Sequence, residues 1–262
     1  MTQNLSPIET AKLVAARHAA GLVKAGMCVG LGTGSTADWM VRCLAERVQT
    51  EGLRVTGVPT SRRTADLAAD LGIPVTTLDE VKWLDLTIDG ADEFDADLNL
   101  IKGGGAALLQ EKIVATASDR MIVIADAAKE VAQLGAFPLP VEVIAFGWQT
   151  TRHLIEEMLV GMDVLGNDCR LRLDGDRPLL TDQSNYIIDL HLKRIGNARH
   201  LAMLLNQISG VVENGLFIDI CDTVIIGHAD GRVVVRDKTG ATQAEESKDL
   251  SDLSNIFADT GD

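Results

Sequence analysis

No stretch of the 262-residue sequence is long and apolar enough to cross a membrane, although 46% of its residues are apolar. The opening segment, MTQNLSPIET, lacks the basic-then-apolar layout of a secretory leader. Cysteine is sparse: Cys28, Cys43, Cys169 and Cys221 are scattered with no CxxC pair. They read as reduced, structural thiols of a cytoplasmic protein. The five histidines show no HExxH-type spacing, so no metal site is expected. Basic residues are also in short supply: 24 Lys and Arg against 38 Asp and Glu give a net charge of −14. That balance argues against nucleic acid and anionic membrane as partners. A small anionic substrate is still allowed, but local lysines and backbone N–H groups must hold it against the overall field. Part of the acidic surplus is local, since residues 241–262 carry six acids against Lys248. Such a composition is expected to form a solvated acidic C-terminal tail.

The first half of the chain alternates between helical and strand-like patterns. Helices are expected over residues 6–25, 36–50, 62–71 and 105–118, the first with Ser6 as cap and Pro7 at its first position. Strands are expected over residues 27–32, 54–60, 83–88 and 121–126. Continuously apolar strands separated by helices imply an α/β fold with a parallel sheet covered on both faces. Ligands of such folds bind beyond the carboxyl ends of the strands. Near Phe137 the order changes to strand, helix, hairpin, helix, strand, which is a ferredoxin-like α+β module. The later segments TVIIG and GRVVVRD read as strands rejoining the first domain. The expected division is an α/β domain over 1–136 and 211–240, a small domain over 137–210 and the tail from 241.

Three loops carry chemistry. LGTGSTA (31–37) lies between a strand and a helix, where Thr33, Gly34, Ser35 and Thr36 can cradle a phosphate at a helix N-terminus. Gly32, Gly34 and Ala37 also satisfy the GxGxxA dinucleotide fingerprint, and a bare structural turn is a third reading. DGADE (89–93) brings Asp89, Gly90, Ala91 and Asp92 to a strand end, close enough for one carboxylate to perturb the other, although Asp-Gly is also ordinary turn chemistry. KGGGAALLQEK (102–112) joins Lys102 and the glycines Gly103, Gly104 and Gly105 to a helix-prone segment containing Glu111. A lysine and unobstructed backbone N–H groups are the parts needed to stabilise an oxyanion. Glu111 taken alone could equally be a solvated carboxylate beside Lys112, and Lys129, after a strand, could be a surface lysine.

GLGTGSTA, DGADE, IKGGGAALLQEKI, IADAAK and FPLPVEV, in this order and spacing, resemble the ribose-5-phosphate isomerase type A family. GVVENGLF and the following VIIG and DG segments extend the likeness toward residue 232. The resemblance implies a three-layer, Rossmann-like α/β domain with a small ferredoxin-like α+β lid, no cofactor, and a homodimer or homotetramer. It implies reversible isomerisation of D-ribose 5-phosphate and D-ribulose 5-phosphate in the non-oxidative pentose phosphate pathway, through an enediolate. It casts Glu111 as the catalytic base, with Asp89 opening the sugar ring and Lys102 and the glycine N–H groups holding the enediolate oxygen. Substrate would be bound by Thr33, Gly34, Ser35, Thr36, Asp89, Gly90, Ala91, Asp92, Lys102, Gly103, Gly104, Gly105 and Lys129, with Lys12 at the phosphate. The sequence departs from the family's pattern at PTSRRTA (59–65), where Arg62 and Arg63 border the expected site. Three rivals are an NADP-dependent oxidoreductase, a non-catalytic sugar-phosphate sensor and an amino-sugar phosphate isomerase. The second needs a basic DNA-binding helix pair and the third a catalytic His motif, and the sequence offers neither.

Overall fold

The structure, a computed structural model of the chain, describes residues 5–245. By internal packing the chain divides into two compact units. One comprises Met1–Gly90, Val114–Ala128 and Cys221–Asp262; the other comprises Ala91–Ile113 and Lys129–Ile220. The segment 137–210 falls wholly in the second unit, together with 91–113, 129–136 and 211–220.

The first unit is built on a seven-stranded sheet in the order Thr242–Glu245, Val233–Asp237, Thr223–Gly227, Met121–Asp126, Leu86–Gly90, Cys28–Leu31, Thr56–Pro59. The last five run parallel, and the first two form an antiparallel edge. Met121–Asp126 is buried at every position, as a strand covered on both faces must be. Helices Pro7–Gly21 and Ser35–Glu51 supply Leu13, Met40 and Leu44 to a core shared with Ile88, Ile124 and Ile225. Ser6 caps the first helix by accepting from the Glu9 N–H at 3.2 Å, and Pro7 follows with its φ already set for a helix. The thiol of Cys43, within this core, is pushed up to about 12 by burial and stays protonated at neutral pH. The strand Cys28–Leu31 lies between the two strands that follow it in sequence. The chain therefore reverses its direction of winding there, and the carboxyl ends of Cys28–Leu31 and Leu86–Gly90 border a topological switch point. Thr242–Glu245, expected within the solvated tail, instead pairs with Val233–Asp237. A turn from Asp237 to Ala241 makes that hairpin, and edge pairing satisfies backbone groups that composition does not reveal. The remainder of the acidic tail, from residue 246, lies outside the described residues.

The second unit holds a four-stranded antiparallel sheet in the order Val211–Asn214, Leu139–Val143, Tyr186–His191, Asp168–Leu171. With helices Trp148–Leu159 and Ala198–Leu205 it follows the β-α-β-β-α-β order expected from sequence. Ile155 and Leu201 of those helices join Val141, Val143, Ile188 and Leu190 in one core. A smaller antiparallel sheet joins Glu93–Phe94, Leu100–Ile101 and Leu216–Phe217. VVENGLF, which reads as one strand, is divided between these two sheets at Gly215. The Gly215 N–H donates to the Pro140 carbonyl at 2.8 Å and its own carbonyl accepts from the Lys102 N–H at 2.9 Å. A Cβ on Gly215 would fall 2.3 Å from the Lys102 carbonyl oxygen, so only glycine lets the backbones approach this closely.

Glu142, on the central strand Leu139–Val143, is fully buried and accepts hydrogen bonds from Thr181 Oγ1 and Asn185 Nδ2, both at 2.9 Å. Burial pushes its carboxyl above the ordinary value of 4.5, and the bonds from Asn185 and Thr181 offset this only in part. A carboxyl whose pKa is raised by folding contributes most below its unfolded value and loses that contribution as pH climbs through the folded value. Glu142→Gln, uncharged at every pH, is therefore expected to gain stability relative to the parent protein as pH rises above 4.5. Urea denaturation at pH 5 and pH 8 checks this; an identical stability difference at both would contradict it.

Candidate active site

In the first unit the site residues converge on the switch point. The Gly32 N–H continues the sheet by donating to the Ile88 carbonyl at 3.0 Å. One residue on, the Thr33 N–H donates to Asp89 Oδ1 at 3.1 Å, and the Gly90 N–H reaches the same oxygen at 2.7 Å. Asp89 is fully buried. A Cβ on Gly32 would lie 2.2 Å from Asp89 Oδ1 and 2.5 Å from its Cα, so the glycine is what allows the two loops to touch. Gly34, at φ +129°, then turns the chain into helix Ser35–Glu51 without a side-chain cap. That leaves a helix N-terminus, with its positive end, beside Ser35 and Thr36. Lys12 Nζ donates to Ser35 Oγ at 2.9 Å and to Glu9 Oε1 at 2.7 Å, placing an ammonium group at this terminus. N–H donors, a helix dipole and a lysine together suit a phosphate.

The side chain of Thr33 does not join that cradle. Its hydroxyl is buried among Thr60, Ser61 and Thr64, at 2.7, 2.8 and 3.0 Å. This cluster comes from PTSRRTA, the segment that departs from the family pattern, and its hydroxyls brace the loop from behind. Arg63 points to Asp38 at 3.2 Å.

In the second unit Lys102 follows the strand Leu100–Ile101, and its backbone is anchored to Gly215. Its side chain is 2% exposed and its ammonium donates to Glu111 Oε1 at 3.1 Å, the carboxylate being 3% exposed. The ammonium also lies 5.6 Å from the centroid of the Phe217 ring. Glu111 is therefore not a solvated helix-face carboxylate: helix Leu108–Thr116 turns it inward. Its neighbour Lys112 does not pair with it in sequence register. Lys112 Nζ instead donates to Glu213 Oε1 at 2.8 Å and to the Asn214 carbonyl at 2.6 Å, and lies 4.9 Å from the Phe217 centroid. Burial pushes the Lys112 ammonium below its usual range, with Glu213 opposing. Phe217 and Glu213 lie in GVVENGLF, but the sequence gives no sign of which groups they meet; their partners are about a hundred residues away and only folding brings them together.

The glycine run does not open directly into a helix. The helix starts at Leu108, after a turn in which the Ala106 N–H donates to the Gly103 carbonyl at 3.0 Å and Ala106 takes a left-handed φ of +62°. The Gly104 N–H donates to Asp92 Oδ2 at 2.7 Å. Asp92 thus organises the loop and occupies one of the glycine N–H donors expected to face an oxyanion. The N–H groups of Gly103 and Gly105 donate to no group among the described residues. Glu93, in the same DGADE motif, is buried and accepts from the N–H of Gly135 and of Phe137, tying down the chain before FPLPVEV. Lys129 ends a short 3-10 turn after Met121–Asp126, and its side chain makes no hydrogen bond or ion pair among the described residues.

The family model described as ribose 5-phosphate isomerase A (phosphoriboisomerase A) matches residues 56–231. A ribose-5-phosphate isomerase A from Cereibacter sphaeroides is 74% identical over 262 residues, all of both chains. Among solved structures, a D-ribose-5-phosphate isomerase in complex with phospho-erythronic acid is 38% identical, with a TM-score of 0.81 over 88% of this chain and 100% of that one. A ribose 5-phosphate isomerase A from Methanocaldococcus jannaschii is 40% identical, with a TM-score of 0.77 over 90% of this chain and 98% of that one.

Removing one member of a buried ion pair strands the other charge, which costs about 3–5 kcal/mol, whereas removing both costs much less. Lys102→Met is accordingly expected to lose about 3–5 kcal/mol of stability by urea denaturation. The double variant Lys102→Met, Glu111→Gln should recover part of that loss; additive losses would show that the two side chains are not energetically coupled.

Proposed function

Because the chain belongs to the ribose 5-phosphate isomerase A family and is an aldose–ketose isomerase, we propose that Glu111 is the base that moves its proton, with Lys102 as the electrophilic partner. The observation that carries the assignment is the buried ion pair of these two side chains at 3.1 Å. A base must be ionised, and an ammonium at this distance favours the ionised carboxylate in a site that otherwise disfavours charge.

The substrate of this reading is D-ribose 5-phosphate, interconverted with D-ribulose 5-phosphate. Its phosphate is held at the N-terminus of Ser35–Glu51 by the N–H groups of that turn and by Lys12, with Lys129 as a further cation. Asp89 accepts the proton of the anomeric hydroxyl as the bond from C1 to the ring oxygen breaks, and then gives that proton to the released ring oxygen, leaving the open-chain aldehyde. Glu111 then removes the C2 proton, and the electron pair of that bond forms the C1–C2 double bond while charge moves to the carbonyl oxygen. Lys102 and the N–H groups of Gly103 and Gly105 stabilise this enediolate. Glu111 returns its proton to C1, and transfer of the hydroxyl proton from O2 to O1 completes the ketose. One carboxylate serves both carbon centres because they are adjacent. Binding energy from the remote phosphate positions the reacting carbons. The phospho-erythronic acid named for the related structure fits this scheme: it carries a planar, anionic carboxylate like the paired oxygens of an enediolate, and a phosphate as the proposed substrate does. The same reading includes a cytoplasmic location and assembly as a homodimer or homotetramer.

Glu111→Gln should keep the fold and the KM for ribose 5-phosphate while lowering kcat by about 10²–10⁴-fold, the usual worth of a general base. Near-parental turnover in a coupled assay would remove Glu111 from this role. Lys102→Ala should lower kcat by about 10²–10³-fold, as losing an oxyanion donor does. A change confined to KM would mean that Lys102 only holds the phosphate.

A further inference from the structure

Arg172 plays no part in the chemistry above and belongs to no motif, yet its guanidinium is divided between the glycine loop and one carboxylate. Its Nη1 donates to the Gly103 carbonyl at 2.7 Å and to the Gly104 carbonyl at 3.2 Å. The remaining edge is fixed by Asp189, whose Oδ2 accepts from Nε at 2.9 Å and whose Oδ1 accepts from Nη2. Both side chains are mostly buried, at 14% and 18% exposed. Asp189 sits on Tyr186–His191 and Arg172 directly follows Asp168–Leu171, two strands paired in register, with the Arg172 N–H donating to the Ile187 carbonyl at 2.8 Å. The clamp is therefore mounted on a sheet rather than on a loop.

A trans peptide group points its C=O and N–H in opposite directions. Holding the Gly103 carbonyl therefore aims the Gly104 N–H the other way, where Asp92 Oδ2 accepts it at 2.7 Å. That peptide group is gripped from both sides. Holding the Gly104 carbonyl likewise aims the Gly105 N–H away from Arg172, and this donor meets no acceptor among the described residues. Glycines have the widest choice of backbone conformation, and Gly103 already sits at φ +109°, so without a clamp the two peptide groups could rotate. Lysine could not replace the arginine, because only a planar fork can serve a carboxylate and two carbonyls at once.

We propose that Arg172, held by Asp189, is a positioning residue that locks the peptide groups after Gly103 and Gly104 so that the Gly105 N–H is presented to the enediolate oxygen. The inference rests on the reading of this loop as the oxyanion-stabilising element. A donor that acts only on the developing charge affects the transition state and not ground-state binding. Arg172→Ala and Arg172→Lys should therefore lower kcat by about 10²-fold, the cost of misplacing a catalytic group by about 1 Å, with KM for ribose 5-phosphate changed by no more than about twofold. Affinity for phospho-erythronic acid, measured by calorimetry, should fall in parallel with kcat. Added guanidinium chloride should restore part of the turnover of Arg172→Ala and none in Arg172→Lys. Turnover within about threefold of the parent in both variants, or a rise in KM with kcat unchanged, would overturn the proposal. If Arg172→Ala does not fold, the kcat, KM and inhibitor results of Arg172→Lys decide. Glu111→Gln run alongside separates the two readings: if it is inactive while the Arg172 variants are normal, the clamp fails and the base stands.

Discussion

The buried ion pair of Lys102 with Glu111 is the constraint to which much of the second unit answers. Taking an ammonium and a carboxylate out of water costs several kcal/mol per ion, and mutual attraction offsets that only when geometry is held tightly. The surroundings supply the tightness. The Lys102 backbone is bonded to Gly215, the strand before it is paired on both sides, and the Phe217 ring lies beside the ammonium. Lys112, adjacent to Glu111 in sequence, is drawn off by Glu213 and Asn214 and does not compete for the carboxylate. Burying two charges in this way is costly, and the proton transfer proposed above would give the pair a use.

The proposed function sets the first unit a different problem, that of holding an anion on a chain with a net charge of −14. Its answer is local. Gly34 delivers a helix N-terminus without a side-chain cap and Lys12 adds a cation there, while the N–H groups of Thr33 and Gly90 are taken by the buried Asp89. Short-range donors and a dipole act within a few ångströms, whereas the net charge acts through screened solvent over a Debye length of about 8–10 Å. The overall sign of the protein therefore does not decide what this terminus binds.

Much of this was legible in the linear pattern. Strand Met121–Asp126 and strand Thr223–Gly227 lie at the expected positions because continuous apolar runs admit few alternatives. The β-α-β-β-α-β order of the second unit followed from the same periodicities. Other features had no linear signal. The GGG run suggested a helix start at once, but the helix waits until Leu108, because Asp92 and a turn at Ala106 take the backbone groups between. Thr33 looked like a ligand contact, yet its hydroxyl faces inward to Thr60, Ser61 and Thr64. Thr242–Glu245 looked like solvated tail and is an edge strand.

The sequence by itself determined which residues are available for chemistry: a carboxylate nine positions after a lysine, glycines where backbone must approach closely, and a strand-to-helix turn rich in small polar residues. These are properties of neighbours along the chain, and covalent spacing sets them. Tertiary structure decided what each residue is worth. Glu111 became a buried, paired carboxylate, Lys112 was assigned to Glu213, and Arg172 was brought to Gly103 across 69 residues. Desolvation and charge pairing depend on everything within a few ångströms, and most of what surrounds these groups arrives from distant segments that only the packed fold brings together.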